Sequence, residues 1–201
     1  HIPGESLGNV HFAIDYLCNP DSYELGERVT VIGAGNAAMD VARTALRKGS
    51  PNVTVFSRSA KIAASKRESE YASVDGVRFE LCWEPVEITP EGVIFRKLAY
   101  QEDGTRTAVP DSETLFPSDS VIISISQGPK NKIVSTTTGI DVNSRVLLVT
   151  NEHGETTRPG IFASGDVVNG AKTVVEAVRY SKDVADAMDR YMREHAGEAL
   201  N

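Results

Sequence analysis

The stretch Val29-Thr30-Val31-Ile32-Gly33-Ala34-Gly35-Asn36-Ala37-Ala38-Met39-Asp40 passes from a β-branched apolar segment through Gly-x-Gly into a helix-forming segment, and it limits the fold more than any other part of the chain. A strand that is apolar at successive positions is buried on both faces, as in a parallel sheet covered on each side. Gly33 permits the tight turn at the end of the strand, and Gly35 lets backbone approach a ligand. The free N–H groups at the start of the helix then face negative charge, an order that suits a nucleotide pyrophosphate. Ala38 stands where such a loop has its third glycine; a methyl is tolerated there because helix and strand have only to pack closely. Small residues also fill ordinary turns, so the loop draws its weight from its setting between strand and helix.

That setting is a complete βαβ unit of about thirty residues. Residues 27–32 predict the first strand. Residues 37–48 predict a helix carrying Met39, Val41, Ala42, Ala45 and Leu46, closed by Gly49. Asn52-Val53-Thr54-Val55-Phe56 predicts the second strand. Further on, residues 65–73 read as a polar helix, 77–82 as a third strand, and 86–98 as a meander or hairpin turned at Pro90-Glu91-Gly92. Residues 101–116 read as a polar, mobile loop. Residues 120–125 form a buried-type strand ending at Gln127-Gly128-Pro129, and strand ends of this kind carry ligand loops in doubly wound sheets.

A second unit is expected from about residue 133. Residues 146–149 and 161–163 read as strands, with Gly165-Asp166 just beyond the latter. A long helix over 173–194 carries Val174, Val175, Val178, Val184, Ala185, Met188 and Met192 as its apolar stripe. Upstream of everything, Val10, Ala13, Ile14 and Leu17 recur at helical spacing before Asn19-Pro20, which predicts a short connecting helix over 9–18.

With 201 residues and 40% hydrophobic content, the chain has the makings of one or two globular domains. A formal net charge of −7 argues against a general nucleic-acid or membrane-surface binder, and no apolar run reaches membrane-spanning length. The opening His1-Ile2-Pro3-Gly4 shows no initiator Met, basic n-region or apolar h-region, and reads as that of an excised fragment. Cys18 and Cys82 form no Cys-x-x-Cys pair, which leaves no local redox disulfide, zinc ribbon or iron–sulfur cluster in this segment. Both read as small apolar residues of a reducing, cytoplasmic compartment. His1, His11, His153 and His195 are scattered without partners and read as surface or packing residues, and Trp83 as a core or domain-edge aromatic. No nucleophile elbow or metal-ligand spacing is present, so no catalytic side chain and no metal site is expected.

Four segments resemble the small-subunit (beta-chain) family of glutamate synthase, within the FAD-dependent pyridine nucleotide oxidoreductases. They are Pro3-Gly4-Glu5 with Val10 through Leu17, Val31 through Ala45, Ile125-Ser126-Gln127-Gly128-Pro129, and Pro159 through Gly170, in the family's order and spacing over most of the chain. The resemblance implies an α/β chain in which a Rossmann-like NAD(P)H-binding domain is inserted in the remnant of a second, FAD-binding Rossmann-like domain. Residues 1–22 would be a linker helix, 23–128 the NAD(P)H domain and 129–201 the C-terminal part of the FAD domain. The family's first FAD Gly-rich loop and its cysteine-rich iron–sulfur region are absent from the chain. Carried over by position, Gly33, Gly35, Asn36 and Ala37 would hold the NAD(P)H pyrophosphate, and Gln127 and Gly128 would lie beside the nicotinamide. Gly165-Asp166 would meet the ribityl chain of FAD, and Thr173-Val174 the flavin pyrimidine edge, where a helix N-terminus favours negative charge on reduced flavin.

One departure concerns nucleotide choice. The family usually has Tyr-Arg-Arg after the second strand to grip the 2′-phosphate of NADPH; here the triplet is Phe56-Ser57-Arg58. No Asp or Glu stands there to accept the ribose hydroxyls of NADH. Ser57 and Arg58, helped by Lys66 and by Lys61 or Arg67, favour NADPH through charge-assisted hydrogen bonds, although Lys61 and Arg67 serve equally well as a solvated face. The implied activity is hydride transfer from NADPH to FAD, with electrons passed to a large subunit or an iron–sulfur partner. The fragment alone is expected to be inactive, because half of the flavin site is missing. Two other readings stay open: a non-catalytic dinucleotide-binding module, and a thioredoxin-reductase-like flavoprotein, which the lack of a Cys-x-x-Cys pair weakens.

Overall fold

In the computed structural model, Val29 and Val31 of β2 (Arg28–Ile32) lie in one buried apolar cluster and Ile32 in another, as the two-residue period of a strand requires. The same division runs through β3 (Asn52–Ser57) and β9 (Ser120–Ile123): Val53, Val55 and Ile122 join the first cluster, and Phe56, Val121 and Ile123 the second. This two-sided burial is why these strands read as continuous apolar runs rather than alternating ones. The described residues are 1–101, 105–125 and 132–196, and they fall into two compact units, His1–Ser126 and Gln127–Asn201.

In the first unit, five parallel strands lie in the order β1, β9, β2, β3, β4, where β1 is Val10–Phe12 and β4 is Arg78–Leu81. On the face of Val29 and Val31 pack α1 (Ala13–Cys18), α2 (Asn36–Arg47) and α3 (Lys66–Asp75), represented in the core by Tyr16, Met39, Val41 and Ala72. Arg43 of α2 donates to Asp75 at 2.7 Å and so ties α2 to α3. The other face is covered by an antiparallel meander: β6 (Gly92–Tyr100) pairs with β5 (Trp83–Thr89), β7 (Arg106–Ala108) and β8 (Thr114–Pro117). There Phe56 stacks on Phe95 with centroids 3.9 Å apart, and Phe116 meets both rings edge-on.

Two readings of the sequence change here. Residues 10–12 are a strand, and helix is confined to Ala13–Cys18, because Val10, His11 and Phe12 find ladder partners in Val121, Ile122 and Ile123. The segment read as a loop over 101–116 contains β7 and β8. Their residues are mostly exposed, so no apolar alternation marks them, and only their pairing with β6 makes them strands. Asp119 contributes to the sheet from outside it. Its carboxylate accepts from the amides of Arg28 (2.8 Å) and Glu27 (3.1 Å) and from the Arg28 guanidinium, closing the start of β9 onto β2.

Those bonds, the guanidinium's first, hold the Asp119 carboxyl down at about 2. A depressed folded-state value stabilises above the unfolded value near 4, and that contribution disappears as pH falls from about 4 through about 2. The carboxylate is partly exposed, so solvent screening reduces the effect to about 1 kcal/mol. Asp119→Asn is therefore expected to lower unfolding free energy by about that much at pH 7. Urea unfolding curves of the two proteins should converge below pH 2, and a deficit independent of pH would contradict the linkage.

Among the described residues the second unit holds three helices, α4 (Lys132–Thr136), α5 (Asp166–Asn169) and α6 (Val174–Glu194). Residues 146–149 and 161–163 are not strands. They take part only in single bridges, Val142 with Leu148 and Glu155 with Phe162, because no neighbouring segment among the described residues runs alongside them for longer. The α6 stripe also differs from expectation. Of its seven residues only Val184 is buried, together with Ala187; Val174, Val175, Val178, Met188 and Met192 are exposed. The helix carries two apolar seams about 100° apart, and the one in contact runs through Tyr180, Val184, Ala187 and Tyr191. Tyr191 meets Phe162 edge-on at 5.6 Å, and Tyr180 reaches Thr150.

Candidate functional site

Gly33 and Gly35 serve opposite purposes. Gly33 has φ +117°, and a Cβ there would sit 2.3 Å from the carbonyl oxygen of Ser124, so its side is filled by the strand exit of β9. Gly35 has no neighbour within 4 Å of where a Cβ would stand, and opens outward. Gly35 is also the N-cap residue of α2, whose carbonyl accepts from Ala38 (3.0 Å) and Met39 (3.2 Å). Among the described residues, none accepts a hydrogen bond from the amides of Gly35, Asn36 or Ala37. Asn36 and Ala37 are exposed. An open cradle with spare N–H donors at a helix start, at the point where the strand order turns from β2 toward β9 on one side and β3 on the other, fits a dinucleotide pyrophosphate.

The residues after β3 stand beside this cradle. Gly33 donates to the Phe56 carbonyl at 2.9 Å, so Ser57 and Arg58 continue from the strand adjoining the glycine turn. Arg58 is exposed, and among the described residues no carboxylate pairs with its guanidinium. Ser57 is less free: its hydroxyl accepts from the amide of Ser59 at 3.1 Å, which bends the loop back on itself. The segment then returns to the cradle twice. Ala64 donates to the Ala34 carbonyl at 2.8 Å, and Ser65 donates to Asn36 Oδ1 at 2.9 Å. Ser65 is in turn the N-cap of α3, where its hydroxyl accepts from Glu68, so Lys66 opens that helix at the same end of the sheet. Lys66 is 3.7 Å from Glu70, and Arg67 leans over Tyr71 with its guanidinium 5.4 Å from the ring centroid. Among the described residues Arg58 and Lys61 are the cations of the group whose side chains carry no ion pair or ring contact.

The sequence did not reveal two further contributors. Tyr100, the last residue of β6, reaches the loop after β3: its hydroxyl donates to the Arg58 carbonyl at 2.9 Å and accepts from the Ala60 amide at 3.1 Å. Cys82 donates its amide to the Ser59 carbonyl at 3.4 Å from a left-handed conformation, φ +63°. Neither residue belongs to a local motif: Tyr100 is brought in by the meander, and Cys82 by the pairing of β4 with β3. Gln127 and Gly128 lie outside the described residues.

In the second unit, Gly165 has φ +74° and ψ −147°, a conformation open only to glycine, and turns the chain into α5. Asp166 follows, exposed, with its Oδ1 accepting from the Lys172 amide at 3.4 Å. That bond brings the carboxylate to the threshold of α6, where Thr173 is the N-cap in a capping box. The Thr173 hydroxyl accepts from the Glu176 amide at 3.3 Å, and the Glu176 carboxylate accepts from the Thr173 amide at 3.1 Å. The Thr173 hydroxyl also donates to the Glu176 carboxylate at 2.8 Å, and this bond first, then that of the Thr173 amide, holds the Glu176 carboxyl below its ordinary range. Among the described residues none accepts from the amides of Val174 or Val175. An acidic residue and free helix-start amides thus converge within this unit, which fits a polyol chain next to a group that gains negative charge. Cys18 and Cys82 are both free thiols, and among the described residues no cluster of His, Cys, Asp or Glu could hold a metal ion. No helix is long and apolar enough to cross a membrane.

Residues 1–181 match the pyridine nucleotide-disulphide oxidoreductase family. The chain is 32% identical to the glutamate synthase [NADPH] small chain of Halomonas elongata over 94% of its length, covering 46% of that protein. It is 34% identical to the NADP(+)-dependent formate dehydrogenase subunit beta of Moorella thermoacetica, over 84% of this chain and 26% of that one. The chain therefore spans about half the length of the glutamate synthase relative, and less of the other. In structure it is similar to a thioredoxin reductase from T. acidophilum, with TM-score 0.73 at 21% identity over 96% of this chain and 61% of that one, a likeness of fold.

Proposed function

The chain belongs to the pyridine nucleotide-disulphide oxidoreductase family, with an α/β, Rossmann-like fold, and from that premise we propose that its first unit binds NADPH and its second contributes to an FAD site. The observation that carries the reading is the open side of Gly35, with the unused amides of Gly35, Asn36 and Ala37 around it. These amides hold the pyrophosphate, Arg58 with Ser57 and Lys66 receives the 2′-phosphate, and Gly165, Asp166, Thr173 and Val174 face the flavin. Gln127 and Gly128 are assigned by position to the nicotinamide end. In domain terms, residues 23–128 form the nucleotide domain, inserted between a linker and the C-terminal part of a flavin domain over 129–201.

The bound cofactors supply hydride transfer from nicotinamide to flavin, which needs no side-chain acid or base. The residues of this chain bind and orient: helix-start amides at α2 and α6 favour anionic groups, and Arg58 discriminates by charge. We assign the electrons onward to a partner subunit or iron–sulfur cluster, a reading supported by relatives named as a small chain and a beta subunit. A cytoplasmic location accords with the two free thiols.

Calorimetric titration with NADPH and NADH tests the reading. The unaltered protein is expected to prefer NADPH, and Arg58→Ala to weaken NADPH by about 10- to 100-fold while leaving NADH unchanged, the worth of one charge-assisted hydrogen bond. Equal binding of both nucleotides by the unaltered protein would remove the phosphate assignment and keep the pyrophosphate cradle.

A further inference from the structure

We propose that Tyr100 is a positioning residue for nucleotide selectivity: it holds the loop after β3 in the shape that aims Arg58 at the 2′-phosphate. This inference rests on the reading of Arg58 as the phosphate contact. The loop from Ser57 to Lys61 is stitched at nearly every residue. Ser59 donates to the Ser57 hydroxyl at 3.1 Å, Lys61 donates to the Ser59 hydroxyl at 3.2 Å, and Cys82 donates to the Ser59 carbonyl. All of these begin or end at Ser59. Among the described residues only Tyr100 fixes the residues on either side, taking the carbonyl of Arg58 and the amide of Ala60 on one oxygen.

The chemistry selects a phenol. Bridging a C=O and an N–H two residues apart requires an atom that both donates and accepts, and a hydroxyl does this where an ammonium, a guanidinium or an indole only donates. The reach requires a long rigid side chain, since Tyr100 comes from the end of β6 in the meander, on the opposite side of the sheet from α2 and α3. The benefit is entropic. An arginine on a slack loop must lose backbone freedom when it meets a phosphate, and a loop already bridged across residues 58–60 has lost it beforehand. Tyr100 touches neither nucleotide nor flavin in this assignment; it acts through Arg58.

The test is Tyr100→Phe, which keeps the ring and removes the oxygen, with dissociation constants for NADPH and NADH measured in the unaltered and altered proteins. NADPH is expected to weaken about 3- to 10-fold, the range of one or two hydrogen bonds, with NADH within twofold of the unaltered value. If the unaltered protein prefers NADPH and the ratio survives the substitution, the proposal fails while the Arg58 reading stands. Equal weakening of both nucleotides would also overturn it, as that is what general loosening produces. If the unaltered protein shows no preference, the Arg58 reading fails and takes the proposal with it. Hydrogen exchange at the Ala60 amide of the unaltered protein gives a second readout that does not depend on the variant folding. Slow exchange is expected, and exchange at the rate of an open loop would overturn the bridge.

Discussion

Gly33→Ala is expected to destabilise the first unit by more than about 3 kcal/mol, whereas Gly35→Ala two residues away should cost less than about 1 kcal/mol and abolish nucleotide binding instead. The difference follows from what lies beside each glycine. At Gly33 a methyl meets the Ser124 carbonyl oxygen at 2.3 Å, and φ +117° is unfavourable for any L side chain. Both ends of the contact are backbone, and both are held: Ser124 donates to the Ile32 carbonyl at 2.8 Å, and Gly33 to that of Phe56. No rotamer change relieves it. At Gly35, φ −84° and ψ −179° accept alanine and nothing lies within 4 Å, so the methyl projects into the space assigned to the pyrophosphate. Thermal unfolding and calorimetry on the pair check both halves. A stable Gly33→Ala protein would contradict the packing, and a Gly35→Ala protein that binds NADPH normally would contradict the cradle.

The second large effect is expected at Phe95→Ala, at about 3–5 kcal/mol. Phe95 is fully buried, stacks on Phe56 and meets Phe116 edge-on, so truncation removes the centre of a three-ring contact joining the meander to the parallel sheet. Phe95→Leu, which keeps more of the volume, should recover part of the loss. Denaturant unfolding distinguishes this from a surface effect, for which the cost would be under about 0.5 kcal/mol. Because Phe56 immediately precedes Ser57, the substitution should also blunt discrimination between NADPH and NADH at temperatures where the protein is still folded.

The sequence carried the βαβ unit to within a residue or so, because β2, α2 and β3 are specified locally: continuous apolar strands, a glycine turn and an amphipathic helix. The first strand was illegible for a matching reason. Val10, Ala13, Ile14 and Leu17 do lie at helical spacing, and only pairing with β9, from far along the chain, converts residues 10–12 to a strand. Apart from the half-buried Phe116, strands β7 and β8 are exposed, so their identity rests in hydrogen bonds to β6 that no hydropathy pattern records. In α6 the periodicity was correct and the face was not. Two seams share the helix, and hydropathy cannot say which one the rest of the unit covers. Gly33 was legible because its positive φ demands a glycine, and Gly35 because it stands at the start of the helix that follows the turn. Tyr100 was not, because a phenol that bridges two backbone groups from 42 positions away leaves no local signature.

The placement of β1 at the edge, with β9 as its only neighbour among the described residues, also dictates the order in which the first unit can assemble on a ribosome. Of the strands described in this unit, β1 is made before the others and paired last, since Val10 waits for Val121. At synthesis rates of about 5–20 residues per second, the N-terminal segment spends on the order of ten seconds without its ladder while the sheet's middle is made. During that interval β2, α2 and β3 can form a nucleus, but the groove that receives β9 stays open. Completion of the sheet therefore coincides with the arrival of residues 120–123, which insert between β1 and β2 and finish the wall against which the Gly33 turn rests. The Gly33 turn thus gains its backing only after most of the unit has been made.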